Sequence, residues 1–420
     1  MRVAACAALA CWGAWVAVPS AALAENLPLS LSLSQNLRRD TNILRTTEGR
    51  SDTISTTAVQ GTFNKAYGRQ VYSASARFAR IRYDELNRFD NDGRNLNAGV
   101  TSEFGSNWRA SVNALSSTNL VNPQDNPRDN RALRNIRTVR GVNGTLQYGI
   151  GGTWAVQGTF DNNRISFSED VFQFQNSQQS SQGLRLIYNA TDLLNFGFGP
   201  RWVNTRFPNN STIREAKDQN LDFTVNWQVT GLSNLNALIS RRETEQGVAG
   251  SRRIQAVTGS LGWGYTPRGR VSYAMNLTRS TSADRFQEAQ GFTFLGNNLR
   301  AVQNVAFDTI NTSLNLSASA PITGKVSTGL TYGLTRFEQD SARGRSTTSI
   351  AVVDQLLGNN ASSTSANSSL QTLTWSTRYA ATRWLGVNCA LQFYKQSGDV
   401  IRPQYSGQSL DCGASVTLDP

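Results

Sequence analysis

The 420-residue chain contains no histidine. That absence removes Ser-His-Asp and Cys-His nucleophile relays, and imidazole metal sites with them. Methionine occurs twice, cysteine four times and proline ten times. No stretch beyond the first two dozen residues approaches the ~18 consecutive apolar residues of an α-helical membrane span. Glu and Lys are sparse as well. What fills the chain instead is Arg, Asn, Ser and Thr, with Tyr, Phe, Trp and Val recurring along the whole length. That is strand composition and not the composition of a disordered chain.

The first 24 residues, MRVAACAALACWGAWVAVPSAALA, stand apart. Arg2 supplies a short basic start, an apolar run follows, and Ala22-Leu23-Ala24 is a small-residue cleavage pattern. The segment reads as a secretory signal removed after Ala24, with residues 25–420 as a single domain. A lipid attachment at Cys11 fits less well, because Ala8-Leu9 departs from the usual pattern before such a cysteine. Loss of Arg2 takes the formal net charge from +12 to +11. Cys6 and Cys11 leave with it, so Cys389 and Cys412 remain in an oxidising setting that allows a disulfide.

The remaining sequence alternates. In WLGVNCALQFY (384–394), Leu385, Val387, Cys389, Leu391 and Phe393 share one face of a period-two strand. LPLSLSLSQ (27–35) does the same with Leu27, Leu29, Leu31 and Leu33. In NLDFTVNWQV (220–229), Leu221, Phe223, Val225, Trp227 and Val229 oppose Asn220, Asp222, Thr224, Asn226 and Gln228. Short Gly-, Pro-, Asn- and Asp-bearing links recur at 66–70, 105–107, 151–152, 191–195, 231–234, 266–269, 321–324 and 382–383. Long polar connections lie between them, among them 38–52, 121–137 and 338–368, the last with room for a small helix around Ile350–Leu357. Short turns at one end and long loops at the other predict an all-β transmembrane antiparallel up-and-down β-barrel. The count is about eighteen strands of roughly ten residues, with both chain ends on the periplasmic side.

Aromatic residues gather near strand ends. Trp108, Trp154, Phe196, Trp263, Tyr265 and Trp384 lie by the short turns; Tyr83, Trp202, Phe207, Phe337 and Tyr394 lie by the long loops. Two such bands match interfacial girdles, although strands are aromatic-rich in any case. At the C-terminus, Asp411, Gly413, Val416 and Leu418 resemble the signal read by the outer-membrane insertion machinery, here ending on Leu with an Asp419-Pro420 tail.

Cys389 and Cys412 stand at similar distances from the intervening loop and on the same apolar face. A cross-strand bridge and two small side chains facing lipid both fit. On the polar face, alternation places Arg77, Arg109, Arg185, Arg201, Arg270 and Arg378 inward, against fewer acids, Asp161, Asp222 and Asp411. Arg–Asp pairs that merely fill the lumen are one reading; a basic wall favouring anions or acidic sugars is the other. The pieces GIGG (149–152), GFGP (197–200) and GWGY (262–265) lack the third glycine and following helix of a nucleotide site, so no cofactor is expected. The spread charge and the export signal argue against nucleic acid as a partner.

One stretch carries a family resemblance. LSLSQNLRRDTNILR (31–45) is a leucine-alternating strand followed by Asp-x-Asn-Ile-x-Arg, on Asp40, Asn42, Ile43 and Arg45. It resembles the opening of outer-membrane barrels encoded in exopolysaccharide operons, grouped as beta-barrel porin 2. The resemblance implies a part in moving an exopolysaccharide, or in supporting its export, across the Gram-negative outer membrane. The basic loop stretches Arg38-Arg39 and Arg134 to Arg140 fit contact with lipopolysaccharide phosphates and fit ordinary solvated charge equally. The resemblance supplies no catalytic residues. A general diffusion porin for small anions or sugars and a non-conducting surface barrel are the alternatives. The segments 282–303 and 338–368 are the candidate constriction loops, and oligomeric state stays open.

Overall fold

The computed structural model describes residues 28–122, 133–210, 214–246, 254–268, 271–294, 297–343, 362–399 and 402–418. Their backbone is almost wholly extended. The strands are β1 (Leu29–Asp40), β2 (Asp52–Tyr67), β3 (Gln70–Tyr83), β4 (Asn91–Phe104), β5 (Trp108–Leu120), β6 (Ile136–Tyr148), β7 (Trp154–Phe167), β8 (Ser177–Thr191) and β9 (Leu194–Arg206). They continue as β10 (Glu215–Thr230), β11 (Ser233–Gln246), β12 (Ile254–Tyr265), β13 (Ser272–Phe294), β14 (Asn297–Pro321), β15 (Val326–Arg343), β16 (Ser362–Ala380), β17 (Leu385–Gln396) and β18 (Tyr405–Leu418). Each pairs antiparallel with its chain neighbours. β1 also pairs with β18, from Leu31↔Leu418 to Asp40↔Ser409, so the sheet closes on itself as an eighteen-stranded barrel.

The eight short links fall at the eight connections of one barrel end, from β2–β3 to β16–β17. Gly68 and Gly105 take left-handed φ values of 58° and 59° there, a conformation with little cost only for glycine. Leu29 and Leu418 lie at this same end, so both termini of the sheet do too. The strands run from 12 to 25 residues, longer than the ten expected, because several continue well past the loop-side rim.

The barrel inverts the arrangement of a soluble protein. Leu29, Leu31, Leu33 and Leu37 on β1 are each about half exposed, as are Phe198, Leu221, Phe223 and Trp227 across β9 and β10. Asn220 and Asp222, on the alternate stripe, are 6% and 3% exposed. An apolar stripe repeated round a closed wall needs hydrocarbon outside it, and the closed ladder leaves no edge for that hydrocarbon to meet. The chain is a transmembrane β-barrel. The cluster of buried residues Ile43, Ile54, Leu86 and Phe89 sits under the first long connections, where Tyr83 packs on Phe89.

Two expectations need correction. The described residues of 282–303 are not a loop: β13 and β14 pair through them up to Phe294↔Asn297. Likewise 338–343 and 362–368 are strand, paired as β15–β16 from Glu338↔Asn367 to Arg343↔Ser362. A sheet satisfies the polar backbone of these segments, so Ser- and Asn-rich composition did not mark them as coil. The segment 1–24, Arg270, Ile350–Leu357 and Asp419-Pro420 lie outside the described residues.

Candidate lumen site

The polar stripe faces the barrel interior. Arg77 on β3 alternates with outward Phe78; Arg185 on β8 lies between outward Leu184 and Leu186; Arg201 on β9 precedes outward Trp202; Arg378 on β16 precedes outward Tyr379. Arg109, Asp161, Asp222 and Asp411 share the same stripe through the pairings Arg109↔Gln147, Asp161↔Asn143, Asp222↔Ser240 and Asp411↔Arg38.

Much of the inward charge is internally matched. Arg109 Nε donates to Glu103 at 2.9 Å. Arg201 Nε donates to Asp222 Oδ2 at 2.7 Å, and Ser240 Oγ donates to Asp222 Oδ1 at 2.6 Å. Arg242 Nη2 donates to Asp218 Oδ2 at 2.8 Å, with Thr244 Oγ1 on Oδ1 at 2.6 Å. Asp161 accepts from Asn163 Nδ2 and Asp411 from Asn36 Nδ2, both at 2.6 Å. Sequence reasoning missed Glu103, Asp218 and Arg242, because which charge meets which follows from strand register. Arg77, Arg185 and Arg378 make no ion pair among the described residues. Arg185 still lies within the field of Asp222, so among the arginines singled out from the sequence Arg77 and Arg378 carry the uncompensated charge.

Arg185 and Arg201 lie along the wall. The Cδ of Arg185 sits 2.7 Å from where a Cβ on Gly197 would be, and the Cγ of Arg201 sits 3.6 Å from the same point on Gly183. Gly197 makes room for the Arg185 stem, which would otherwise stand out into the lumen.

The ladder between β12 and β13 stops early. β12 and β13 pair from Tyr265↔Tyr273 only as far as Gly259↔Arg279, though both strands continue. Above that point Arg242 Nη1 donates to the Thr281 carbonyl at 3.1 Å, across the unpaired gap. A cleft there is lined by Arg242, Thr244 and Ala256 from β11 and β12, and by Asp308, Arg336, Glu338 and Asn367 from β14–β16. Arg242 and Thr244 belong to the inner stripe. Asp308, Arg336, Glu338 and Asn367 are in phase with Leu316, Leu330 and Trp375, the outer stripe. One face can meet the other only if the extended β13–β16 sheet bends to the lumenal side of β11 and β12. Arg402, from the β17–β18 connection, stacks on Phe337 on the flap's other face, 3.9 Å from the ring centre. Where loops were expected, the chain forms a four-stranded flap of β13–β16.

No family model matches this chain, and no curated protein matches its sequence. Solved structures do. The outer membrane protein opdK from Pseudomonas aeruginosa is 11% identical, with 93% of this chain and 98% of that one covered at a TM-score of 0.45. OccAB3 of Acinetobacter baumannii is 7% identical over the same shares, also at 0.45. The siderophore receptor PirA from Pseudomonas aeruginosa is 11% identical, covering 93% and 80% at 0.40.

The closing seam is reinforced on both faces. On the outside, Cys389 and Cys412 are direct register partners with Cα atoms 4.1 Å apart and are joined by a disulfide. At the loop-side rim, Asp40 is completely buried and accepts Arg45 Nη1 at 2.8 Å, Arg45 Nη2 at 2.9 Å, Arg38 Nη2 at 2.8 Å and the Tyr394 hydroxyl at 2.6 Å. The guanidinium of Arg45 also stacks on Tyr394, 3.8 Å from the ring centre. Asn42 Nδ2 donates to Thr46 and Ser406 carbonyls, and Ile43 enters the small apolar cluster. The whole Asp-x-Asn-Ile-x-Arg stretch thus forms a clasp from β1 across β18 to β17. Gly407 is required beside it, since a Cβ there would overlap the Tyr394 ring and hydroxyl.

The aromatic bands differ between ends. At the short-turn end Trp108 packs on Phe104 and Tyr148, Trp154 on Tyr188, and Trp263 on Tyr265, with Trp384 half exposed. At the loop end Trp202 faces outward. Tyr83, Phe337 and Tyr394 do not: all three point inward, because their strand phase opposes the outer stripe. Gly413 lies on the inner stripe of β18, and Val416 and Leu418 on the outer.

Proposed function

We propose that this protein is a diffusion channel of the Gram-negative outer membrane for small hydrophilic solutes, with a preference for anions. The observation that carries the reading is a closed barrel with an apolar outer stripe and an amide- and hydroxyl-lined interior that holds Arg77 and Arg378 without an ion pair among the described residues. Eighteen strands enclose enough space for water beyond what side chains fill. Guanidinium groups without a carboxylate neighbour leave a positive field, which a narrow low-dielectric passage focuses. The β13–β16 flap narrows that passage from the loop side. On this reading the outer face meets lipid, the Arg-rich loops meet lipopolysaccharide phosphate, and the C-terminal strand is the segment read by the insertion machinery.

Planar bilayer recording across a tenfold potassium chloride gradient tests the reading. A reversal potential of the sign set by chloride supports it; cation selectivity refutes the anion preference, and no current at all refutes the channel. Export of an exopolysaccharide is the second reading, and it rests on the resemblance at Asp40, Asn42, Ile43 and Arg45. Those side chains are engaged in the seam clasp, so the motif supports a shared barrel closure more directly than a shared cargo.

A further inference from the structure

The inner wall of β2–β5 holds a second feature that the ion-pair pattern leaves unexplained. Gln60, Arg77, Asn95 and Ser117 are successive register partners across four strands and form one level row on the inner stripe. The row below it runs Thr62, Ser75, Asn97 and Leu115. Between the rows lies a recess of about 320 Å³ bordered by Gln60, Ser75, Arg77, Asn95, Asn97 and Asn113. Gly99 lies one level lower. A Cβ there would press 3.0 Å from Asn113 Oδ1 and 3.2 Å from Ser73 Oγ, so glycine keeps the lower edge open.

The chemistry of the lining is uneven in a useful way. Arg77 is half-buried with its guanidinium unmatched by any carboxylate among the described residues. Around it stand carboxamides and hydroxyls, each able to donate and accept. Asn95 accepts from Ser117 Oγ at 2.7 Å and from Asn119 Nδ2 at 3.0 Å, which fixes its carbonyl and leaves its amide hydrogens free to donate. A planar guanidinium takes a carboxylate through two parallel hydrogen bonds. Side chains on neighbouring strands within a row stand about 4.7–4.9 Å apart, a spacing that suits a ligand with several hydroxyl groups on a ring or chain.

We propose that this recess is a subsite for hydroxylated carboxylates, with Arg77 holding the carboxylate and Gln60, Asn95 and Asn97 holding the hydroxyls. A hexuronate has both parts at the right size. The proposal deepens the channel reading by naming the solute class, and it rests on that reading only for transport, not for binding. A neutral hexose offers the hydroxyls without the charge, and acetate offers the charge without the hydroxyls; each loses half of the contacts.

The test is equilibrium binding to the full-length barrel in detergent, followed by calorimetry with glucuronate, glucose and acetate as probes. Glucuronate should bind saturably and at least about tenfold more tightly than glucose or acetate, the span expected for one charge-assisted pair. Arg77→Gln should weaken glucuronate by about tenfold or more. Asn97→Asp sets a carboxylate one row from Arg77 at an exposed position, so folding is not at issue, and it should weaken glucuronate and not glucose. No saturable glucuronate binding, equal affinity for glucose, or an Arg77→Gln or Asn97→Asp barrel that binds glucuronate within twofold of the parent would each overturn the proposal. The channel reading fails separately: absent current with Arg77-dependent glucuronate binding leaves the subsite standing and removes transport.

Discussion

The seam clasp offers the sharpest test of how this barrel is held shut. Asp40→Asn keeps the shape of the side chain and removes its charge. The wild-type carboxylate is fully buried and accepts from Arg45 twice, from Arg38, from Tyr394 and from the Asn42 amide at 2.9 Å. An asparagine there offers one acceptor oxygen and turns an amide group toward donors. Arg45, whose side chain is 11% exposed, loses the carboxylate that faces its guanidinium. Removing one partner of such a pair costs about 3–5 kcal/mol. Arg38 is one-third exposed and water can serve it, so the lower end applies, about 3 kcal/mol. At ~1.4 kcal/mol per factor of ten, that is on the order of a hundredfold in the unfolding equilibrium. Arg45 also holds a left-handed φ of 55°, which costs a non-glycine residue ~1–2 kcal/mol when its contacts are lost. Urea unfolding of barrels inserted in lipid vesicles, extrapolated to zero denaturant, measures the change. Arg45→Ala and the double variant close a cycle, whose coupling should be about 1–3 kcal/mol. A loss below ~0.5 kcal/mol for Asp40→Asn, within the range of an ordinary surface change, would refute the view that the clasp closes the seam.

Other outcomes are expected. Cys389→Ser with Cys412→Ser should lower stability by up to about 3.4 kcal/mol, the entropy of a loop spanning 23 residues, and after cleavage of the intervening loop its two fragments should separate on a non-reducing gel, where the parent's stay joined. Leu33→Arg puts a guanidinium on the outer stripe of β1 and should cost ~2–4 kcal/mol if it lies near the bilayer centre. Fractionation of that variant should show reduced membrane insertion; full wild-type insertion and stability would contradict the outward assignment. Arg242→Ala removes the side chain that bridges β11 to the Thr281 carbonyl across the unpaired gap. Freed there, the flap should move more, so single-channel current should become noisier or larger; an unchanged current trace would show that the bridge does not hold the flap.

The sequence by itself determined the barrel. Alternation of Leu29, Leu31 and Leu33, or of Leu221, Phe223 and Val225, needs only the period of a strand, and the eight short links need only local turn chemistry. Cys389 and Cys412 fall on one face for the same local reason. Tertiary structure decided the rest. Asp40 and Tyr394 are separated by 354 residues and meet only because the last strands return beside the first. Arg201 finds Asp222, and Arg242 finds Asp218, through register between strands, which a one-residue slip would have reversed. The flap arises where β12 and β13 part above Gly259↔Arg279, and composition gave no sign of it, since polar strand and polar loop use the same residues. Local geometry is written into each hairpin, whereas charge pairing, closure and narrowing depend on which hairpins stand side by side once the cylinder is complete.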